Sequence, residues 1–276
     1  FVVCDPHIRT TDTANVAPRT PVGDFLEAQE RNEEFRFLAP EKLLSQTGAA
    51  KYGLEMVSGY HPGIYGRYYD LYRAIWESDT STTSYLKEHS AHEVAHPVIL
   101  DLMNAVYSVL PAEDPGLAGE KATEIRAAAG GPPLATVYRR ESALPRVCIV
   151  PDASLPPPGT PVLEALCSMD PRAGCFVENR PFQGGEAFRA LPFERHSAGD
   201  LTVRFKSEKG GVVLISQAWH PDWRAVDNGK EVEVRQVNYD FVGICLPPGD
   251  HNLRVWYLPM DFYLGCYIAA FSWMAL

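Results

Sequence analysis

Hydrophobic and polar positions change period along this chain. Over residues 22–32 Phe25, Leu26 and Gln29 are spaced for one face, and Asp24 and Glu27 sit in the opening turns, which predicts a helix. Residues 35–38 read as a short strand. Over residues 65–76 Tyr65, Tyr68, Tyr69, Tyr72 and Trp76 recur at helical spacing. Residues 98–110 begin as an apolar helix and end, in AVYSVL, as a strand, whereas residues 118–129 are rich in Ala, Glu, Lys and Arg and predict a helix. Residues 134–139 and 146–150 predict strands. From about residue 201 the period falls to two in LTVRF, GVVLIS, EVEVRQV, FVGICL and HNLRVWYL, separated by KGG, HPDW, DNGK, NYD and PPGD. Such alternation, broken by Gly, Pro, Asn and Asp, predicts an antiparallel sandwich or small barrel. Asn-Gly within DNGK accepts positive φ and suits a tight hairpin.

The expected fold class is therefore α+β: a mixed α/β N-terminal part followed by an antiparallel, jelly-roll-like β-sandwich. Pro/Gly-rich breaks fall at residues 130–133 (GGPP) and 156–161 (PPPGTP). We divide the chain into a mixed α/β part (1–170), a sandwich part (171–260) and the start of a C-terminal transmembrane helix (261–276), with the join within residues 171–192. The last part rests on FYLGCYIAAFSWMAL, residues 262–276, which carry no charge. A crossing needs about 20 apolar residues. This run is shorter, but it is apolar on every side and rich in aromatics near its start, as at a membrane interface. The competing reading is a buried terminal helix. The opening FVVCDPHIRT has no charged leader, long apolar run or Met, so Phe1 is expected at a domain boundary rather than a biological start.

Composition narrows the partners. The chain has 276 residues, 35 acidic and 25 basic, and a net charge of −10. No Lys/Arg run exceeds two residues, so nucleic acid is not an expected partner. Six cysteines are scattered without a CxxC pair, which argues against a zinc ribbon. Cys167 and Cys175 flank a short loop that a disulfide would close outside the cytoplasm; free buried thiols are the expectation for most of the six.

Candidate chemistry lies in three places. His89, His92 and His96 in HSAHEVAHP fall at i, i+3 and i+7 beside Glu93, which on a helix would align imidazoles for Zn or Cu. The same spacing also describes a polar helix face ended by Pro97. No HExxH motif or Cys partner accompanies it, so no metal or cofactor is assigned. Tyr60, His61, Tyr65 and Tyr68 would form an aromatic platform for the apolar C–H faces of a sugar, or fill a seam. The turn Trp219-His220-Pro221-Asp222-Trp223-Arg224, joined by Asn238 and Tyr239, would form a glycan-binding loop cluster. Its alternative is a structural corner with Trp223 buried and Arg224 paired with a carboxylate. No GxSxG elbow occurs, and no residue is assigned as catalytic.

Four segments carry a resemblance. GLEMVSGYHPGIYGRYYDLY (53–72), HPVILDLMNAVYSVL (96–110), ALPRVCIV (143–150) and LISQAWHPDWRAVDNGKEVEVRQVNYDFVGICLPPGDHNLRVWYLP (214–259) resemble, in order, segments of the YfhO-type bacterial membrane proteins. In two places the chain departs from the pattern: Pro221-Asp222-Trp223 replaces a Pro-Gly-Trp turn, and Val226-Asp227-Asn228-Gly229 is one residue longer than Val-Asp-Gly. The resemblance implies a multi-pass protein of the bacterial cell membrane, related to lipid-linked-sugar glycosyltransferases of the GT-C type. Its catalytic acidic residues would lie upstream of this chain. The chain would be a non-catalytic domain on the extracytoplasmic side that positions a glycan or cell-envelope acceptor, with a lipid-linked sugar and its own transmembrane bundle as partners. The alternative is a purely structural or interaction module that packs on that bundle without binding sugar.

Overall fold

The computed structural model describes residues 18–31, 33–57, 66–76, 94–112, 119–127 and 130–274, and the elements below are those of these residues. The chain divides into two compact units, Phe1–Ala143 and Leu144–Leu276.

In the first unit, β1 (Arg36–Leu38), β2 (Glu55–Met56), β3 (Ala105–Pro111), β4 (Glu120–Arg126) and β5 (Pro133–Arg139) form a mixed sheet in the order β2-β1-β3-β5-β4. β1 runs parallel to β2 and β3, while β5 runs antiparallel to β3 and β4. The helix Pro21–Glu30 is capped at Thr20, whose side chain accepts from Gly23 N, with Pro21 at its first position. It buries Val22 and Leu26 in a core with Phe35, Phe37, Leu44, Tyr52, Val109 and Val137. The helices Gly66–Trp76 and Pro97–Leu102 pack on one another and bury Leu71, Ile75, Ile99 and Leu100. A buried ion pair completes this unit: Arg140 Nη2 donates to Asp101 Oδ1 at 2.5 Å, and Ser142 donates to the same oxygen at 2.8 Å.

The second unit is a β-sandwich. β6 is Val147–Val150; β7 (Ala153–Ser154) and β8 (Cys175–Phe176) pair in parallel. β9 is Arg189–Ala190, β10 Phe193–Ser197, β11 Asp200–Ser207, β12 Gly211–Ala218 and β13 Trp223–Asp227. β14 is Lys230–Val232, β15 Arg235–Val237, β16 Phe241–Leu246 and β17 Gly249–Tyr257. The two large sheets run β10-β11-β17-β13-β14 and β15-β16-β12-β6-β9. Every pairing in both is antiparallel. Val203, Ala225, Leu253 and Val255 from the first meet Val147, Ile149, Val213, Ile215, Val242 and Ile244 from the second in one apolar core. The hairpin at Asn228-Gly229 has φ of 49° and 79° and pairs Asp227 with Lys230, as expected for DNGK.

Several local expectations are corrected. Residues 118–129 hold a strand, not a helix: β4 pairs along β5, and Thr123 and Ile125 suit that position better than the helix-forming composition suggests. EVEVRQV is not one strand, since β14 and β15 belong to different sheets and the chain crosses between them at residues 233–234. The second compact unit begins at Leu144, and its first strand, β6, hydrogen-bonds between β12 and β9 and is buried along its length. Cys167 and Cys175 are unbonded thiols.

The helix Met260–Met274 follows β17 through Leu258 and Pro259. All its residues from Met260 to Trp273 are exposed, with Phe271 at 74% and Trp273 at 86%. It therefore adds nothing to the core, contrary to the buried-helix reading. At 1.5 Å per residue it is about 22 Å long, short of the roughly 30 Å hydrocarbon layer. Among the described residues no helix is long and apolar enough to cross a membrane.

Two measurements check this architecture. Gly→Ala inside a helix ordinarily gains about 1 kcal/mol. At Gly23 the added Cβ would stand 2.2 Å from the Tyr52 ring, whose hydroxyl is held by Thr20 N at 2.6 Å. Gly23→Ala should instead destabilise by about 1–3 kcal/mol in chemical denaturation; a gain would show that the ring can move aside. Burial pushes the Cys148 thiol up to about 12 and raises that of Cys175 as well. In the native protein at pH 8, peptide-mapped alkylation should label exposed Cys266 and spare both buried thiols until unfolding.

Candidate functional site

Tyr60, His61, Tyr65, His89 and His92 lie outside the described residues. Tyr68 donates its hydroxyl to Val57 O at 2.8 Å, which uses it as a packing strut. His96 precedes Pro97 with φ −129° and ψ 83°, at the N-cap position of the helix Pro97–Leu102, where its side chain makes no capping hydrogen bond.

The Trp219–Arg224 turn is built as a corner. Trp223 is 8% exposed, belongs to the sandwich core and donates Nε1 to Ala218 O at 2.9 Å. Trp219 packs half-buried against the same core. Arg224 donates to Pro221 O at 2.7 Å and Trp223 O at 2.9 Å, so backbone carbonyls take the place of the expected carboxylate. Asn238 is fully buried with φ 48°; its N–H donates to Phe176 O and its Oδ1 accepts from Phe176 N, at 2.9 and 2.7 Å. Tyr239 continues the turn at φ 75°, and its carbonyl accepts from Gln236.

The same corner holds the root of the C-terminal helix. Asp222 O accepts from Leu258 N at 3.0 Å, and Asp222 Oδ2 accepts from Met260 N at 3.2 Å, supplying a cap from a different part of the chain. The Tyr257 ring lies 5.4 Å from His220 and 5.5 Å from Trp223.

A concave feature lies instead on the outward face of the β10-β11-β17-β13-β14 sheet. It is a groove of about 300 Å³ lined by Thr202, Arg204, Val226, Gly229, Asn252, Arg254 and Trp256, a volume at the lower edge of small-molecule sites. Strand pleating explains it. Leu201, Val203, Leu253, Val255 and Ala225 point into the core, so their neighbours point out. Register then sets Asp200, Trp256 and Arg224 in one cross-strand row and Thr202, Arg254 and Val226 in the next. Arg254 grips Asp200 through two hydrogen bonds, of 3.2 and 2.7 Å, and its guanidinium lies 5.5 Å from the centroid of Trp256. That grip holds the Asp200 carboxyl below the usual carboxylate range. Arg204 is paired with Glu194 at 2.6 Å, and Thr202 Oγ1 lies 2.9 Å from His196 Nε2. Of the expected site residues, only Arg224 lies in a row of this face. The alternation in HNLRVWYL carries the signal for Asn252, Arg254 and Trp256, but their partners come from a strand some fifty residues earlier.

Residues 187–269 match the family described as bacterial membrane protein YfhO. The resemblance seen in the sequence is thus shown over its longest segment, while the three earlier segments lie outside the matched stretch. No curated protein matches. Among solved structures, the cryo-EM structure of arabinofuranosyltransferase AftD from Mycobacteria is similar over 29% of this chain and 6% of that chain, at 20% identity and a TM-score of 0.24. The chain thus spans a small fraction of that protein's length.

The corner yields a prediction. Trp223→Ala should cost about 3–5 kcal/mol, as for a buried Trp, whereas Asp222→Ala should cost about 1 kcal/mol, as for a lost helix cap. Hydrogen exchange at the Met260 amide should quicken in Asp222→Ala with exchange in β17 unchanged; unaltered exchange at Met260 would rule out the capping role.

Proposed function

We propose that this chain is a non-catalytic domain of a multi-pass bacterial membrane protein, seated on the extracytoplasmic face, where it positions a glycan or cell-envelope acceptor. One observation carries the membrane half of this reading. The sheet's central strand β17 runs straight into a helix that is exposed on every side and carries no charge after Asp261, and the strand and most of the helix lie within the stretch that matches a bacterial membrane protein family. In water such a helix presents a contiguous apolar surface beyond what soluble monomers usually tolerate; in a bilayer it is satisfied. Tyr263, Tyr267 and Trp273 fit the interfacial and inner positions of an inserted segment. The glycan half is supported by the outward groove, which combines an aromatic face with polar side chains on a rigid sheet.

The competing reading is a structural or interaction module without sugar binding. It is favoured by the use of Tyr68, Trp223 and Asn238 in packing.

Cys266 provides the membrane test, since it lies within the exposed helix. With lipid vesicles present, a charged, impermeant maleimide should label Cys266 at least about tenfold more slowly than without them, as expected for a thiol placed in hydrocarbon. Equal rates would reject membrane seating. Binding of the whole chain to an array of neutral and acidic glycans tests the second half; a blank array would favour the structural module.

A further inference from the structure

We propose that the outward groove of the β10-β11-β17-β13-β14 sheet is a subsite for a neutral saccharide, with Trp256 as stacking platform and the Arg254–Asp200 pair as hydroxyl clamp. This rests on the glycan-positioning reading and assigns it to residues that the sequence did not single out.

The shape is the first argument. The groove is open, rigidly backed by paired strands and floored by Thr202 and Val226. A sugar ring offers an apolar C–H face and a rim of hydroxyls, and it needs a flat aromatic surface beside polar groups rather than a deep apolar pocket. Trp256 supplies the flat surface. Arg254 and Asp200, locked together, present donors and acceptors side by side, the arrangement that two neighbouring hydroxyls can bridge. Their mutual grip also fixes both side chains before a ligand arrives, which reduces the ordering cost of binding.

Charge decides the ligand class. Three arginines reach this face, which at first suggests an anion. Two are paired with carboxylates, Arg254 with Asp200 and Arg204 with Glu194, whereas Arg224, outside the groove lining, donates to the carbonyls of Pro221 and Trp223. A phosphate or uronate entering the groove would have to break an existing pair or approach Asp200 and Glu194. A neutral sugar exchanges hydroxyl hydrogen bonds with paired groups at no such electrostatic cost.

The test is titration of the whole chain with neutral gluco-, manno-, galacto- and arabino-oligosaccharides, with oligogalacturonate and inorganic phosphate as anionic probes, followed by tryptophan fluorescence. At least one neutral oligosaccharide should bind. Trp256→Ala should weaken it by about tenfold, the scale of a lost aromatic contact. Asp200→Asn, which keeps size and removes charge, should also weaken it, while Trp256→Phe retains most of the affinity. Thermal midpoints near wild type should accompany all three, since Asp200 and Trp256 face outward. Binding of a neutral sugar that survives both Trp256→Ala and Asp200→Asn would overturn the groove and leave the glycan-positioning reading intact. Preference for the anionic probes would overturn the neutral class. Absence of binding to every saccharide would remove the groove proposal together with the reading beneath it.

Discussion

The alternation of β17 is the constraint on which the C-terminal unit depends. One face of this strand, Leu253 and Val255, closes the sandwich core; the other, Asn252, Arg254 and Trp256, lines the groove. The strand pairs with β11 on one side and β13 on the other, so every outward residue acquires a neighbour on both flanks. A slip of one residue would expose the valine and leucine and bury the arginine and tryptophan. Core and groove are therefore set by one register.

That register is pinned at both ends of the strand. Where β17 begins, the buried His251 ring places one nitrogen 2.8 Å from Asp227 Oδ2 and the other 3.0 Å from Pro247 O, with Phe205 stacked 4.9 Å away. Where it ends, Tyr257 N donates to Gly199 O at 2.8 Å and Asp222 receives Leu258 and Met260. The Pro-Asp-Trp turn, one of the two departures from the YfhO-type pattern, has a concrete use here. Glycine at position 222 would offer the same backbone carbonyl but no carboxylate to cap the helix. The corner thus joins a sheet to an apolar helix through Asp222.

Sequence reading went furthest where the signal is local. The period-two runs from residue 201 onward, the Asn-Gly hairpin, the helix-to-strand change in residues 98–110 and the apolar terminal helix each depend on one short continuous stretch of chain. It failed where distant chain decides. Residues 118–129 have helical composition, and pairing with β5 overrides it. β6 reads as a strand, but only β12 and β9 show to which unit it belongs. The groove was illegible for the same reason: Trp223 and Asn238 are visible in the sequence as turn residues, whereas Thr202 comes to lie beside Arg254 and Trp256 only through the strand order.

The placement of the groove also bears on what it would hold. Trp256 precedes the helix start by four residues and Asn252 by eight. At about 3.3 Å per residue, these two positions lie no more than roughly 13 and 26 Å of strand from the helix root. If the helix enters a bilayer at Pro259, the groove occupies a band just above the headgroups. A lipid-linked glycan anchored in that bilayer keeps its phosphates at the membrane plane and lifts only its sugars into such a band. Paired arginines, which favour neutral hydroxyls over free anions, are what that geometry requires, because uncommitted cations at this height would compete for headgroups instead of sugars.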